Sequence, residues 1–183
     1  LKETDIILQY GVTVKGKSLK EHEEVKGQEY ALNFLKEVIK TNESLSLRLI
    51  RKFNALVLND DIENRGKFKK SNNEILGTGF ETTPYYLVEE KLTELIEKFN
   101  SSENNDLIMK VACFHADFEK IHPFIDGNKR TAMLAGLTLL EMNEYNFIAR
   151  QGELEDFAVH IAVSHLNASV IADWLEQHSQ VRL

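Results

Sequence analysis

Cysteine and proline are almost absent from this 183-residue chain, which has one Cys and two Pro. A lone thiol, Cys113, excludes an intrachain disulfide; in its apolar stretch it reads as a small buried hydrophobe, which suits a reducing, cytoplasmic compartment. Both prolines, Pro84 and Pro123, fall where helical patterning breaks, leaving long stretches free to be helical. No run approaches the roughly 18–20 apolar residues of a membrane helix, and no secretory leader opens the chain. Basic charge is short as well. The 22 Lys and Arg against 29 Asp and Glu give a formal charge of −7, which repels a polyanion at long range and argues against nucleic acid as a partner. Also missing are a P-loop, the Gly-x-Ser-x-Gly elbow of hydrolases, and a third metal ligand near His115 and His122.

What is present fits one soluble domain over 1–183, with 43% hydrophobic and 28% charged residues in a length usual for a single core. Leu1 in place of Met implies that the numbering starts inside a longer protein or after a removed leader. The architecture reads as mostly α. Ser18 with Glu21 resembles a capping box opening a first helix, whose Ala31, Leu32, Leu35 and Ile39 share a face widened by Tyr30, Phe34 and Val38. Ser44 is the expected cap of a second helix with Leu45, Leu49, Phe53, Leu56 and Val57 inward. A third, from about Tyr85, carries Leu87, Leu92, Leu95, Ile96 and Phe99. Residues 64–83, with Gly66, Gly77, Gly79, a cluster of lysines and the small apolar island Ile75-Leu76, read as a β-hairpin or extended flap. Leu107, Val111, Phe114, Phe118 and Ile121 predict the central helix; Pro123 stops it, and another begins after Asp126. Further helix is expected over 154–174.

Between these last two apolar helices stands His122-Pro123-Phe124-Ile125-Asp126-Gly127-Asn128-Lys129-Arg130, a density of polar groups that packing does not require. Gly127 and Asn128 can take left-handed conformations that turn successive N–H groups toward one point, and the following helix adds its unpaired N-terminal donors. Arg130 in that first turn is a misfit against the helix dipole unless an anion lies between them. Asp126 offers one hard oxygen to Mg²⁺, which binds through one or two carboxylates plus substrate phosphates. His122, at a helix end, is a candidate general base. Taken singly these have plainer readings: a packing histidine, an Asp-Gly turn, a surface arginine.

The run resembles the signature of the Fic family, H-P-F-x-D/E-G-N-G-R-x-x-R, at His122, Pro123, Phe124, Asp126, Gly127, Asn128 and Arg130. The likeness extends to 16–19, Glu24-Val25, and the flap from Gly66 to Gly77. It implies a Fic-fold helical bundle with a short β-hairpin flap, acting as a protein adenylyltransferase that uses Mg²⁺ and ATP. By resemblance, His122 is the base toward a Ser, Thr or Tyr hydroxyl of a protein substrate, and Asp126 holds Mg²⁺. Gly127, Asn128, Lys129 and Arg130 hold the nucleotide; Ile75, Leu76 and Gly77 align the target; Phe124 anchors the loop. His115 resembles a core histidine with a satisfied hydrogen bond. A homodimer is compatible with the family, and the target is not legible.

Two departures bear on the reaction. Lys129 replaces the usual glycine, resembling Doc, whose loop binds ATP in the opposite sense and transfers the γ-phosphate; Met133 replaces the second arginine. Adenylylation is the expected reaction, with Doc-like phosphorylation or a catalytically silent nucleotide-binding module as alternatives. The family's inhibitory motif, S/T-x-x-x-E-G/N, is not found within 1–183, and its glutamate is expected upstream of Leu1.

Overall fold

Helices form where apolar residues recur every third or fourth position and a polar side chain closes the first turn. The computed structural model describes residues 19–75, 80–101, 106–148 and 167–181. The chain runs through α1 (Leu19–Thr41), α2 (Leu47–Val57), β1 (Glu74–Ile75), β2 (Phe80–Glu81), α3 (Val88–Ser101), α4 (Leu107–Ile121), α5 (Asn128–Met142), β3 (Tyr145–Phe147), α6 (Ala168–His178) and β4 (Ser179–Val181). A 3₁₀ turn, Tyr85–Leu87, precedes α3. The expected mostly α bundle with a short hairpin is what the chain adopts. The opening segment, the Ser18 cap, Leu76, Gly77, Gly79 and the first part of the 154–174 helix lie outside the described residues.

α4 is the central helix. It packs against α3, α5 and α6, while α1, α2 and α5 pack against one another. Its N-cap is Asp106, whose Oδ1 accepts the Met109 N–H at 2.9 Å. Val111, Phe114, Phe118 and Ile121 are all buried, and each buried Phe contributes roughly 1.5–3 kcal/mol. Phe114 and Phe118 form an aromatic row that reaches Phe124 in the following loop. The core thus reaches directly under the polar run.

Two expectations need correction, and one feature is new. The cap of α2 is Ser46, not Ser44: its hydroxyl accepts the Leu49 N–H, two residues later because Leu45 is already committed to the core. Cys113 is only half-buried, since it lies between the faces that α4 turns to its neighbours. The C-terminal pair β3 and β4, antiparallel with Tyr145 opposite Val181, was not anticipated; three-residue strands carry too little period-2 pattern to be read.

The hairpin pairs Glu74 with Glu81 and Ile75 with Phe80. Its foot is stitched to the end of α4 and the loop beyond. The Lys69 N–H donates to Pro123 O at 2.9 Å and the Thr83 N–H to Lys120 O at 3.2 Å. Phe68 bridges Phe124, and Asn73 Nδ2 donates to Phe124 O at 3.1 Å.

Candidate active site

Pro123 ends α4 by disfavouring helical backbone in the residue before it. His122 leaves the helix in a left-handed conformation, φ 49° and ψ 60°, with its N–H still bonded to Phe118 O. That backbone is uncommon outside glycine and is fixed here by the loop on either side. Phe124 is fully buried and anchors the loop against Phe68 and Phe118, as its resemblance implied.

The loop is braced from beneath by two asparagines. Asn128 Oδ1 accepts the Phe124 N–H and its Nδ2 donates to Phe124 O, both at 2.9 Å. Asn54, a buried residue of α2, donates to Asp126 O at 3.0 Å and accepts the Gly66 N–H at 2.9 Å. Gly127 is left-handed, φ 76°, and a Cβ there would meet Asn54 Nδ2 at 3.1 Å. Asn128, expected to be left-handed too, is instead the first residue of α5. Its side chain is turned inward, so its offer to an anion is its backbone N–H.

The first N–H groups of α5 have no acceptor within the helix, and two cations, Lys129 and Arg130, stand in its first turn. Arg130 reaches Asp126 Oδ2 at 3.7 Å; Asp126 Oδ1 accepts the Gly127 N–H at 2.5 Å. Cations at the positive end of a helix favour a bound anion. The Asp126 carboxylate is 72% exposed, and no group of three or more His, Cys, Asp or Glu gathers among the described residues. The donor set therefore fits a magnesium ion that takes one carboxylate oxygen from the chain and the rest from phosphate and water.

His122 is 14% exposed. Burial pushes its pKa down to about 4, helped by the charges of Lys69 and Lys129; the Glu119 backbone carbonyl and Asp126 pull the other way. The ring is neutral around pH 7, the state a base requires. Its Nδ1 is buried, which leaves Nε2 as the nitrogen for proton transfer. Glu119, one turn back on α4, has Oε2 at 3.9 Å from that Nδ1 and is 1% exposed; burial pushes its carboxyl up to about 7, opposed by Lys129.

Lys69 is another buried charged residue near the loop. Its ammonium donates to Asn73 Oδ1, Thr82 Oγ1 and, at 3.4 Å, Ile121 O, while burial lowers its pKa to about 8. Lys69, Asn54, Asn73 and Glu119 were not singled out in the sequence. Only Glu119 carried a signal, its i, i+3 spacing to His122. Of the flap residues, Ile75 has its side chain in the core, 4% exposed, because alternation on β1 turns it inward; it can meet a target only through its backbone. Leu76 and Gly77 lie outside the described residues. His115 is a buried core residue whose pKa burial lowers to about 4.

A helical bundle in which a braced loop presents a histidine, a carboxylate and a cationic helix start is an arrangement suited to receiving an anion. The chain belongs to the Fic/DOC family, whose model matches residues 44–140. It is similar to "Protein adenylyltransferase fic-1" of Caenorhabditis briggsae, 31% identical over 192 residues that cover 93% of this chain and 37% of that protein. Among solved structures it resembles Fic-1 (aa134–508) from C. elegans, with TM-score 0.79 and 27% identity over 97% of this chain and 54% of that one. A Fic domain containing signaling protein from Bacteroides thetaiotaomicron matches with TM-score 0.73 and 25% identity over 93% of this chain and 69% of that one. The chain thus spans little more than a third of the length of that curated relative. No helix among the described residues is long and apolar enough to cross a membrane.

Proposed function

We propose that residues 1–183 form one Fic domain that transfers AMP from Mg²⁺-bound ATP to a Ser, Thr or Tyr hydroxyl of another protein. The observation that carries this is a neutral His122 set at the loop that leads into a cation-bearing helix start, in a chain 31% identical to a protein named an adenylyltransferase. Nε2 of His122 takes the proton of the target hydroxyl while its oxygen bonds to the α-phosphorus. The bond from that phosphorus to the bridging oxygen breaks, and pyrophosphate leaves. Lys129, Arg130 and the first N–H groups of α5 hold phosphate oxygens, and Gly127 keeps the approach open. Asp126 would hold the Mg²⁺, which supplies charge neutralisation on the phosphates. The hairpin backbone around Ile75, Leu76 and Gly77 is suited to aligning an extended target segment by strand addition. A cytoplasmic setting is consistent with a single, unpaired cysteine.

A second reading, transfer of the γ-phosphate, draws on Lys129 and Met133. Lys129 adds an exposed cation and a side chain to the helix start where an open backbone would otherwise receive phosphate. Incubating the protein and a cell lysate with Mg²⁺ and ATP, labelled at the α or the γ phosphorus in parallel, separates the two. Protein labelled from α alone supports AMP transfer, and label from γ alone supports phosphorylation. No label from either, with ATP still bound, leaves a nucleotide-binding module.

A further inference from the structure

Glu119 is the least accounted-for residue in the bundle. Its side chain is 1% exposed, and among the described residues neither carboxyl oxygen has a hydrogen-bond partner; His122 Nδ1 is buried with no hydrogen bond of regular geometry, although the Glu119 backbone carbonyl also acts on the ring. Buried polar groups are nearly always satisfied, and each orphan asks for a physical reason. Here three orphan atoms meet: Oε2 faces Nδ1 at 3.9 Å, one helical turn apart on α4. The gap is about an ångström longer than a charge-assisted hydrogen bond, and catalytic hydrogen bonds are commonly long before substrate binds.

We propose that Glu119 is a positioning residue for His122: its carboxylate receives the Nδ1–H, keeps the Nε2 lone pair toward the target hydroxyl, and stabilises the imidazolium formed on proton transfer. This rests on the reading of His122 as the base. The same logic operates in serine hydrolases, where a buried carboxylate fixes the tautomer of the catalytic histidine. The charged groups around the pair are Lys69 from the hairpin foot, Lys129 from α5 and Asp126 from the loop. Lys129 favours the ionised carboxylate; Lys69 and Lys129 disfavour a charged ring. Cations on both sides therefore push the pair toward a carboxylate beside a neutral Nδ1–H imidazole. When Glu119 is protonated, its O–H donates to Nδ1, the ring proton moves to Nε2, and the base is lost. Glu119, whose carboxyl burial raises to about 7, then governs the rise of activity with pH.

Ring ¹⁵N shifts of His122, assigned by their loss in His122→Ala, test this without turnover. In the wild type, Nδ1 should carry the proton at pH about 8.5, with a shift toward the Nε2–H form as Glu119 is protonated near pH 7. Glu119→Gln should lose that step. A wild-type ring with no step between pH about 5.5 and 8.5, or equal shifts in both proteins because the Glu119 backbone carbonyl alone holds the ring, overturns the proposal. With α-labelled ATP and lysate, Glu119→Gln should transfer label about tenfold or more slowly at unchanged ATP affinity; full transfer overturns the proposal. A wild type that shows the tautomer step but labels nothing leaves the Glu119–His122 contact standing and sinks the transfer reading instead.

Discussion

The two ends of the nine-residue loop are built on opposite rules. From Phe124 to Asn128 the buried groups are paired: both Phe124 backbone groups bond Asn128, and the Asp126 carbonyl takes Asn54. At His122 the ring Nδ1 and the carboxyl of its neighbour Glu119 are buried without hydrogen bonds, and His122 has a left-handed backbone that favours glycine. The satisfied end holds geometry and contributes stability. The unsatisfied end gives up stability to keep a neutral nitrogen in a low-dielectric setting, where a proton can be taken. Each half makes the other possible, since an orphaned ring keeps its place only if its surroundings are over-determined.

That division can be broken from either side. His122→Ala should reduce transfer by about 10²–10⁴-fold with ATP binding and melting temperature nearly unchanged; label transfer at the parent rate would show that the unsatisfied end is not where the chemistry lies. Phe124→Ala removes the anchor common to both ends and should destabilise by about 3–5 kcal/mol, read by urea unfolding. Asn128→Ala orphans the Phe124 N–H and should cost about 1–3 kcal/mol; a variant as stable as the parent would mean that the clamp is ornamental. Gly127→Ala should cost about 1–2 kcal/mol from its positive φ, plus whatever the Asn54 amide must yield.

The smallest effect is a pH dependence that sharpens the contrast. The folded pKa of Glu119 is raised, so its contribution is fully present below its unfolded value of 4.5 and lost as pH rises through about 7. For His122 the folded pKa is depressed; its contribution is present above 6.5 and lost as pH falls through about 4. The two nearly offset between pH 4.5 and 6.5. Glu119→Gln removes the first, so its melting temperature relative to the wild type should climb from pH 4.5 to 7 and then level. A difference constant across that range would remove Glu119 from the unsatisfied end.

The bundle was legible because α4 writes its buried face plainly at Val111, Phe114, Phe118 and Ile121, and because Pro123 can only interrupt it. The loop was legible as chemistry, since so many polar groups between apolar helices lack a packing reason. Its bracing was not. Asn54 lies 72 residues before the carbonyl it holds, and a lone Asn inside an apolar helix face looks like a surface residue. Lys69 was hidden among neighbouring lysines: nothing local distinguishes the one whose ammonium turns inward to Asn73 and Thr82 from those that stay in water. The inward side chain of Ile75 was not legible, because a two-residue strand does not declare which side faces in. Asn128 was read as able to take a left-handed backbone, whereas it opens α5 and its amide is spent on Phe124.

At position 122 the backbone and the chemistry want different amino acids. A left-handed residue between a helix and a proline is cheapest as glycine, which has no Cβ to crowd the carbonyl; on the proposed reading, the imidazole is kept for what it does to a proton. A selection for thermal tolerance alone would drift this codon toward glycine and yield a sturdier, silent protein. A screen that scores only folding would rank that variant above its parent, so libraries built on this scaffold need a readout of transfer from the first round.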